Sequence, residues 1–304
     1  MSRVAVVTGG IGGLGTAMCK ALIEQGRRAV AVDYNGLSQE AVDKWKADRK
    51  AEGLDIPVYL ADVTDFDSCA ETCKKIEAEV GPIEILVNNA GITRDAMFHK
   101  MTPEQWIAVI NTNLNSMFNM TKQVYGKMVE RGWGRIVNIS SVNGIKGQAG
   151  QTNYSATKAA VYGFTKSLAQ ECAKKGVTVN SISPGYIGTE MVRAIREDVL
   201  ASIVKTIPVG RLGEPSEIGR TVAFMTAEDG GFLTGEDVTV NGGLHLRWAP
   251  DRAAGPAPRH NGFARLEARL HRPSRRVGPA VQHPRSHARR RQARAARPDR
   301  RGGP

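Results

Sequence analysis

Cysteine is scarce in this chain: Cys19, Cys69, Cys73 and Cys172 are the only four in 304 residues, and no C-x-x-C spacing occurs. That argues against a disulfide-stapled secreted scaffold and against a thiolate metal site. Each thiol falls in a helical stretch and reads as a small buried hydrophobe in a reducing compartment. No apolar run approaches the roughly 18 residues of a membrane span. Met1-Ser-Arg3 leads into only a short apolar or neutral stretch before Gly9, so no secretory leader is expected and the reading is a cytoplasmic protein without a membrane partner.

Lysine is missing altogether after residue 246, where arginine abounds. Residues 247–304 hold 16 Arg against three acids, Asp251, Glu267 and Asp299, and eight of the 14 Pro. Their net charge is +13 against +12 for the whole chain, which leaves residues 1–246 near −1. A segment so poor in aromatic and β-branched residues cannot bury enough apolar surface to offset its ordering entropy, and a disordered basic tail is expected. An arginine arm for nucleic acid or another polyanion is one reading. Arginine without lysine, mixed with Ala, Pro and Gly, reads instead as GC-rich DNA translated in an unselected frame, a frameshifted end, so nucleic acid is not the expected partner.

Residues 1–246 alternate short apolar runs with amphipathic segments. Strands are expected at Val4 to Thr8, Ala29 to Asp33, Val58 to Ala61, Ile83 to Val87, Arg135 to Ser140, Val177 to Ser183 and Asp237 onward. Helices are expected at about 14–25, 38–52, 66–80 and 215–227, one long helix over 103–131, and a poorly punctuated helical lid over 190–213. Runs too apolar for a one-sided sheet give an α/β fold, a doubly wound parallel sheet of Rossmann type in one domain.

Several patterns carry chemistry. Thr8-Gly-Gly-Ile-Gly-Gly-Leu-Gly15 joins the first strand to the first helix, the arrangement in which backbone N–H groups of Gly9, Gly12, Gly13, Leu14 and Gly15 meet a pyrophosphate. Asp33, about twenty residues on, either accepts hydrogen bonds from adenosine ribose hydroxyls, favouring NADH over NADPH, or serves as a turn acid. Asp62 and Val63 follow the third strand and face the adenine. Asn88-Asn89-Ala90-Gly91, with Ile92 and Thr93, puts small residues at a strand's carboxyl end, where ligands bind in open parallel sheets. Pro184-Gly185-Tyr186-Ile187 is a further strand-end turn, on the nicotinamide side. Tyr154 and Lys158 lie at i and i+4 on one helix face, with Ser141 thirteen residues before the tyrosine. A cation beside a phenol lowers the phenol's pKa, which makes Tyr154 a general acid or base, with Ser141 holding a substrate carbonyl oxygen. Arg193, Arg196, Lys205 and Arg211 on the lid either meet an anionic substrate or form a solvated face.

Taken together, the glycine turn, Asn88-Asn-Ala-Gly91, Asn113, Ser141, Tyr154-x-x-x-Lys158 and Pro184-Gly185 resemble the short-chain dehydrogenase/reductase family over residues 3–244. The resemblance implies NAD(P)H as cofactor, a homotetramer packed through two long helices and the last strand, and catalytic roles for Asn113, Ser141, Tyr154 and Lys158. Within the family, Gly91-Ile-Thr-Arg-Asp95, Arg131-Gly-Trp133 through Asn143-Gly144, Gly150-Gln-Thr-Asn-Tyr154 and Ser183-Pro-Gly-Tyr-Ile187 are similar to the acetoacetyl-CoA reductases of polyhydroxybutyrate synthesis, which make the (R)-3-hydroxyacyl product. Similarity to 3-oxoacyl-acyl-carrier-protein reductases is weaker at Trp133, Asn143 and Tyr186. By this resemblance Asp95, Ser141, Gln148, Ala149, Gly150, Gln151, Tyr186 and Arg196 face an acyl-CoA substrate. Those reductases commonly use NADPH, a habit that Asp33 does not fit.

Overall fold

The computed structural model describes residues 2–246; the disorder expected of residues 247–304 concerns residues outside those described. In chain order the elements are β1 (Val4–Thr8), α1 (Gly13–Glu24), β2 (Arg28–Tyr34), α2 (Gln39–Ala51), β3 (Val58–Ala61), α3 (Phe66–Glu79), β4 (Ile83–Asn88), α4 (Pro103–Ile110), α5 (Ser116–Arg131), β5 (Gly134–Ile139), α6 (Val142–Lys146), α7 (Thr152–Cys172), β6 (Val177–Pro184), α8 (Glu190–Arg193), α9 (Glu197–Lys205), α10 (Pro215–Met225) and β7 (Asp237–Val240).

Side chains alternate between the two faces of a strand. Val4 and Val6 of β1 therefore join Ile76, Met120 and Met128 in one apolar layer, while Ala5 and Val7 join Met18, Leu22 and Val222 in the other. With both faces covered, all seven strands pair in parallel, in the order β3-β2-β1-β4-β5-β6-β7. The chain winds outward from β1 to β3 and then returns to place β4 on the other flank of β1. That reversal opens a crevice at the carboxyl ends of β1 and β4, where open α/β sheets take ligands. All four cysteines are buried and unbridged, as expected.

Three expectations meet a different local structure. The long helix of 103–131 is interrupted at Asn111–Asn115 by a π turn, which brings Asn113 inside, 1% exposed, to bond the Ile92 backbone. The glycines of Gly144 to Gly150 predict a loop before α7, but this stretch begins inside the short helix α6, capped by Ser141, whose Oγ accepts the Asn143 N–H at 3.1 Å. The lid is helical only in α8 and α9; its remainder is irregular, and Ile187 pairs with Gly213 as an isolated parallel bridge.

Candidate active site

The carboxyl end of β5 is tied to the middle of α7. Lys158 Nζ donates to the Ile139 carbonyl at 2.8 Å, and Ser140 Oγ donates to the Lys158 carbonyl at 2.7 Å. These bonds set Ser141, the next residue, beside Tyr154. Burial pushes the Tyr154 phenol up from its ordinary pKa; a hydrogen bond with Ser141 opposes that rise and the charge of Asp95 adds to it. The expected lowering by Lys158 is not what this arrangement produces. The ammonium is engaged by the Ile139 carbonyl, stands 5.6 Å from the Tyr154 ring centre, and is itself pulled down to about 8 by burial. A phenol that keeps its proton at neutral pH, next to a serine hydroxyl, can donate to an oxygen that gains negative charge.

Asn113 meets the same place from the π turn. Its Oδ1 accepts the Ile92 N–H at 2.8 Å and its Nδ2 donates to the Ile92 carbonyl at 2.9 Å, so the whole amide grips one residue of the turn after β4. A Cβ on Gly91 would stand 3.3 Å from Asn113 Oδ1 and 3.6 Å from Lys158 Nζ, so the absence of a side chain there keeps the approach to the lysine open.

The residues expected to hold a dinucleotide lie at the carboxyl ends of the parallel strands and in the turns that follow them. A Cβ on Gly15 would lie 2.1 Å from the Gly9 carbonyl oxygen, so the turn closes only around glycine. α1 starts at Gly13 with no side-chain cap and no acid in its first turn, which leaves its amino-terminal N–H groups for an anion. Asp33 accepts from the N–H groups of Ile11 at 3.0 Å and Tyr34 at 2.8 Å, which places its carboxylate at the end of β2 beside the glycine turn. Asp62 caps its own turn through Thr64, and the Val63 carbonyl accepts from Asn119. Asn89 donates to the carbonyls of Thr8 and Gly9. The Gly185 N–H donates to the Val240 carbonyl, and Tyr186 with Ile187 leads on to Thr189. This donor set fits a nucleotide: a glycine cradle, an uncapped helix start and a carboxylate at the far end.

The loop between α6 and α7 is joined to the turn after β4. Gln151 Nε2 donates to Asp95 Oδ2 at 2.8 Å, its Oε1 accepts from Asn143 Nδ2 at 2.9 Å, and the Gly150 carbonyl accepts the Ala96 N–H at 2.9 Å. Gln148 Oε1 accepts from Lys146, and Ala149 sits in the same loop. Tyr186 lies at the β6 end of the site. The lid cations are not gathered here. Arg196 is exposed and paired with Asp198 two residues away, Arg193 with Glu214, and Arg211 with Glu217.

Four residues take their positions in the site from contacts that only the structure shows. The Thr8 hydroxyl accepts the N–H groups of Asn89 and Ala90, each at 3.0 Å, and so holds the turn after β4 against β1. Thr189 lies across from Gly13, where an added Cβ would meet it at 3.4 Å. Asn143 is buried, and its Oδ1 has no partner among the described residues. Asn153, fully buried, donates to the carbonyls of Arg94 and Gln105 and anchors the start of α7. Thr8 and Asn143 lie inside the quoted motifs, but their partners are far away in sequence. Among the described residues no cluster of metal-ligating side chains occurs, and no helix is long and apolar enough to cross a membrane.

A family model of the short chain dehydrogenases matches residues 3–200. An acetoacetyl-CoA reductase of Cupriavidus necator is 56% identical over 244 residues, covering 80% of this chain and 98% of its own. Nodulation protein G of Azospirillum brasilense is 57% identical over 246 residues, covering 81% and 99%. The 3-oxoacyl-(acyl-carrier-protein) reductase FabG of Vibrio harveyi is 41% identical over 244 residues, covering 80% and 98%.

Proposed function

The chain belongs to the short chain dehydrogenase family, and from that premise we propose that residues 1–246 form an NAD(P)H-dependent acetoacetyl-CoA reductase that makes (R)-3-hydroxybutyryl-CoA for polyhydroxybutyrate synthesis. The observation that carries the chemistry is the half-buried Tyr154 phenol, its pKa raised by burial, set beside Ser141 and one helical turn from Lys158. Relatives bearing the acetoacetyl-CoA reductase name at 53% to 58% identity support the substrate, against 41% for the carrier-protein enzyme.

The cofactor's place is the crevice: Gly9 to Gly15 for the pyrophosphate, Asp33 for the adenosine ribose, Asp62 and Val63 for the adenine, and Asn89 to Thr93 with Pro184 to Ile187 for the nicotinamide half. When bound, the nicotinamide supplies the hydride. Ser141 orients the substrate carbonyl oxygen, and Tyr154 gives its proton to that oxygen as it gains charge. Lys158 keeps a positive charge near the tyrosinate left behind, and Asn113 holds the Ile92 turn beside it. Asp33 favours NADH, since a carboxylate repels a 2′-phosphate. Asp95 and the loop Gln148 to Gln151, with Tyr186, receive the acyl-CoA; Arg196 joins them only if its pairing with Asp198 opens.

A cytoplasmic homotetramer packed through α5, α7 and β7 is the assembly we infer. The exposed Phe118 of α5, stacked on Phe66 of α3, supplies apolar surface suited to such contacts. The deciding experiment follows NADH and NADPH absorbance with acetoacetyl-CoA and with its acyl-carrier-protein counterpart. Higher kcat/KM on the CoA thioester is expected. No turnover with it, or a clear preference for the carrier protein, overturns the reading.

A further inference from the structure

We infer that Tyr162 is a positioning residue for Ser141, braced from behind by Ser183 and Asp237; the inference rests on the reading above, in which Ser141 orients the substrate carbonyl. Tyr154, Lys158 and Tyr162 follow one another at four-residue steps along α7, so they stack on one side of the helix. The Tyr162 hydroxyl shares its one proton between the Ser141 carbonyl at 3.1 Å and Ser183 Oγ at 3.0 Å, which leaves the Ser183 proton free for Asp237. Ser183 Oγ donates to both carboxylate oxygens of Asp237, at 2.8 Å and 3.0 Å, and Ser181 Oγ donates to Asp237 Oδ1 at 2.7 Å.

The chain of polar groups therefore runs from β7 through β6 and α7 to the peptide of Ser141. Ser181 and Ser183 share one face of β6, and Ser181 is in register with Asp237. Both serines are fully buried and Asp237 nearly so. Apolar residues would fill the same space without the cost of burying hydroxyls and a carboxylate, so a satisfied network here buys orientation. Its end point is informative. Ser141 Oγ accepts the Asn143 N–H, and the Ser141 carbonyl already accepts the helical N–H of Gly144 at 2.9 Å. The Tyr162 bond adds a lateral restraint from the same helix that carries Tyr154. The hydroxyl of Ser141 and the phenol of Tyr154 are thus referred to one rigid element, and a small error in their relative position is costly in rate.

A double-mutant cycle on the full chain separates this role from simple support of the fold. Tyr162→Phe is expected to lower kcat for acetoacetyl-CoA reduction about tenfold, with the cofactor KM unchanged. In a Ser141→Ala background the same change is expected to cost less than about twofold, because the group that Tyr162 positions is gone. Ser183→Ala keeps the phenol and loosens its support, and is expected to show the same pattern with a smaller loss. Multiplicative losses in the double variant, or a Tyr162→Phe enzyme within about twofold of the wild type, overturn the inference. Should the wild type fail to reduce acetoacetyl-CoA, the proposed substrate falls. The cycle is then read on ethyl acetoacetate, a small 3-oxo ester, where the same two outcomes decide the role of Tyr162.

Discussion

Lys158 and Tyr154 share a face of α7, where the ammonium donates to the Ile139 carbonyl at 2.8 Å and stands 5.6 Å from the tyrosine ring centre. Burial governs both groups, holding the phenol protonated and drawing the ammonium down to about 8. In the proposed mechanism, reduction draws a proton from Tyr154 and relies on the charge of Lys158. The kcat/KM for acetoacetyl-CoA is therefore expected to be level through neutral pH and to fall as Lys158 loses its charge, around the value of about 8. Oxidation of 3-hydroxybutyryl-CoA needs the tyrosinate and is expected to rise with pH over the same range. Parallel pH profiles in the two directions test this, and profiles that run the same way contradict it.

The same burial makes Lys158 a liability for the fold before any ligand arrives. Its folded pKa lies below that of the unfolded chain, so the unfolded state binds more protons between about 8 and 10.5. The penalty is complete below that window and is relieved as pH rises through it. At roughly 1.4 kcal/mol per unit it amounts to about 3 kcal/mol. Lys158→Met is expected to raise unfolding stability at pH 7 by about 1 kcal/mol without cofactor, the loss of the bond to Ile139 offsetting the rest. The variant's activity is expected to fall at least about a hundredfold. Urea unfolding of both proteins at pH 7 and pH 10 checks the sign, since the gap should vanish or reverse at the higher pH.

Asp33 offers a test of cofactor choice. Its carboxylate accepts two backbone N–H groups, from Ile11 and Tyr34, so Asp33→Asn removes the charge and keeps one acceptor. The segment Tyr34-Asn35-Gly36-Leu37-Ser38 contributes no cation to receive a 2′-phosphate. The wild type is expected to prefer NADH, and the variant to gain about tenfold in kcat/KM with NADPH as the repulsion is lifted. A wild-type enzyme that strongly prefers NADPH contradicts the assignment.

Strands were legible wherever a parallel sheet buries both faces, because runs such as Val4 to Thr8 and Ala29 to Val32 then stay close to apolar throughout. The glycine turn was legible for a comparable reason: only glycine lets the turn close on Gly9. The π turn was not, since its helical periodicity continues across it. Asn111, Asn113 and Asn115 are its trace in the sequence, three amides in five residues where a helix gains little from them. The Ser183–Asp237 and Tyr162–Ser141 bonds join residues 54 and 21 positions apart and follow no local period. The rise of the Tyr154 pKa comes first from burial, and neither that burial nor the bond of Lys158 to the Ile139 carbonyl has a signature in the Tyr-x-x-x-Lys spacing.

The order of the amides at the substrate loop follows from Asp95. A carboxylate accepts and does not donate, so Gln151 must turn its Nε2 to Asp95, at 2.8 Å, and offer Oε1 to Asn143 Nδ2, at 2.9 Å. Asn143 Oδ1 is then the acceptor left over, buried and without a partner among the described residues. Gln151→Glu sets two carboxylates against each other and is expected to raise the KM for acetoacetyl-CoA about tenfold, with the cofactor KM unchanged. Adding Asp95→Asn to that variant exchanges donor and acceptor. The new amide donates to the new carboxylate, whose second oxygen still accepts from Asn143. If orientation of residue 151 is what the acyl-CoA side of the site requires, the double variant recovers most of the lost affinity. A double variant as poor as the worse single one shows that the Asp95 carboxylate is needed for itself, and the relay from Asp95 to Asn143 is then not what shapes the site.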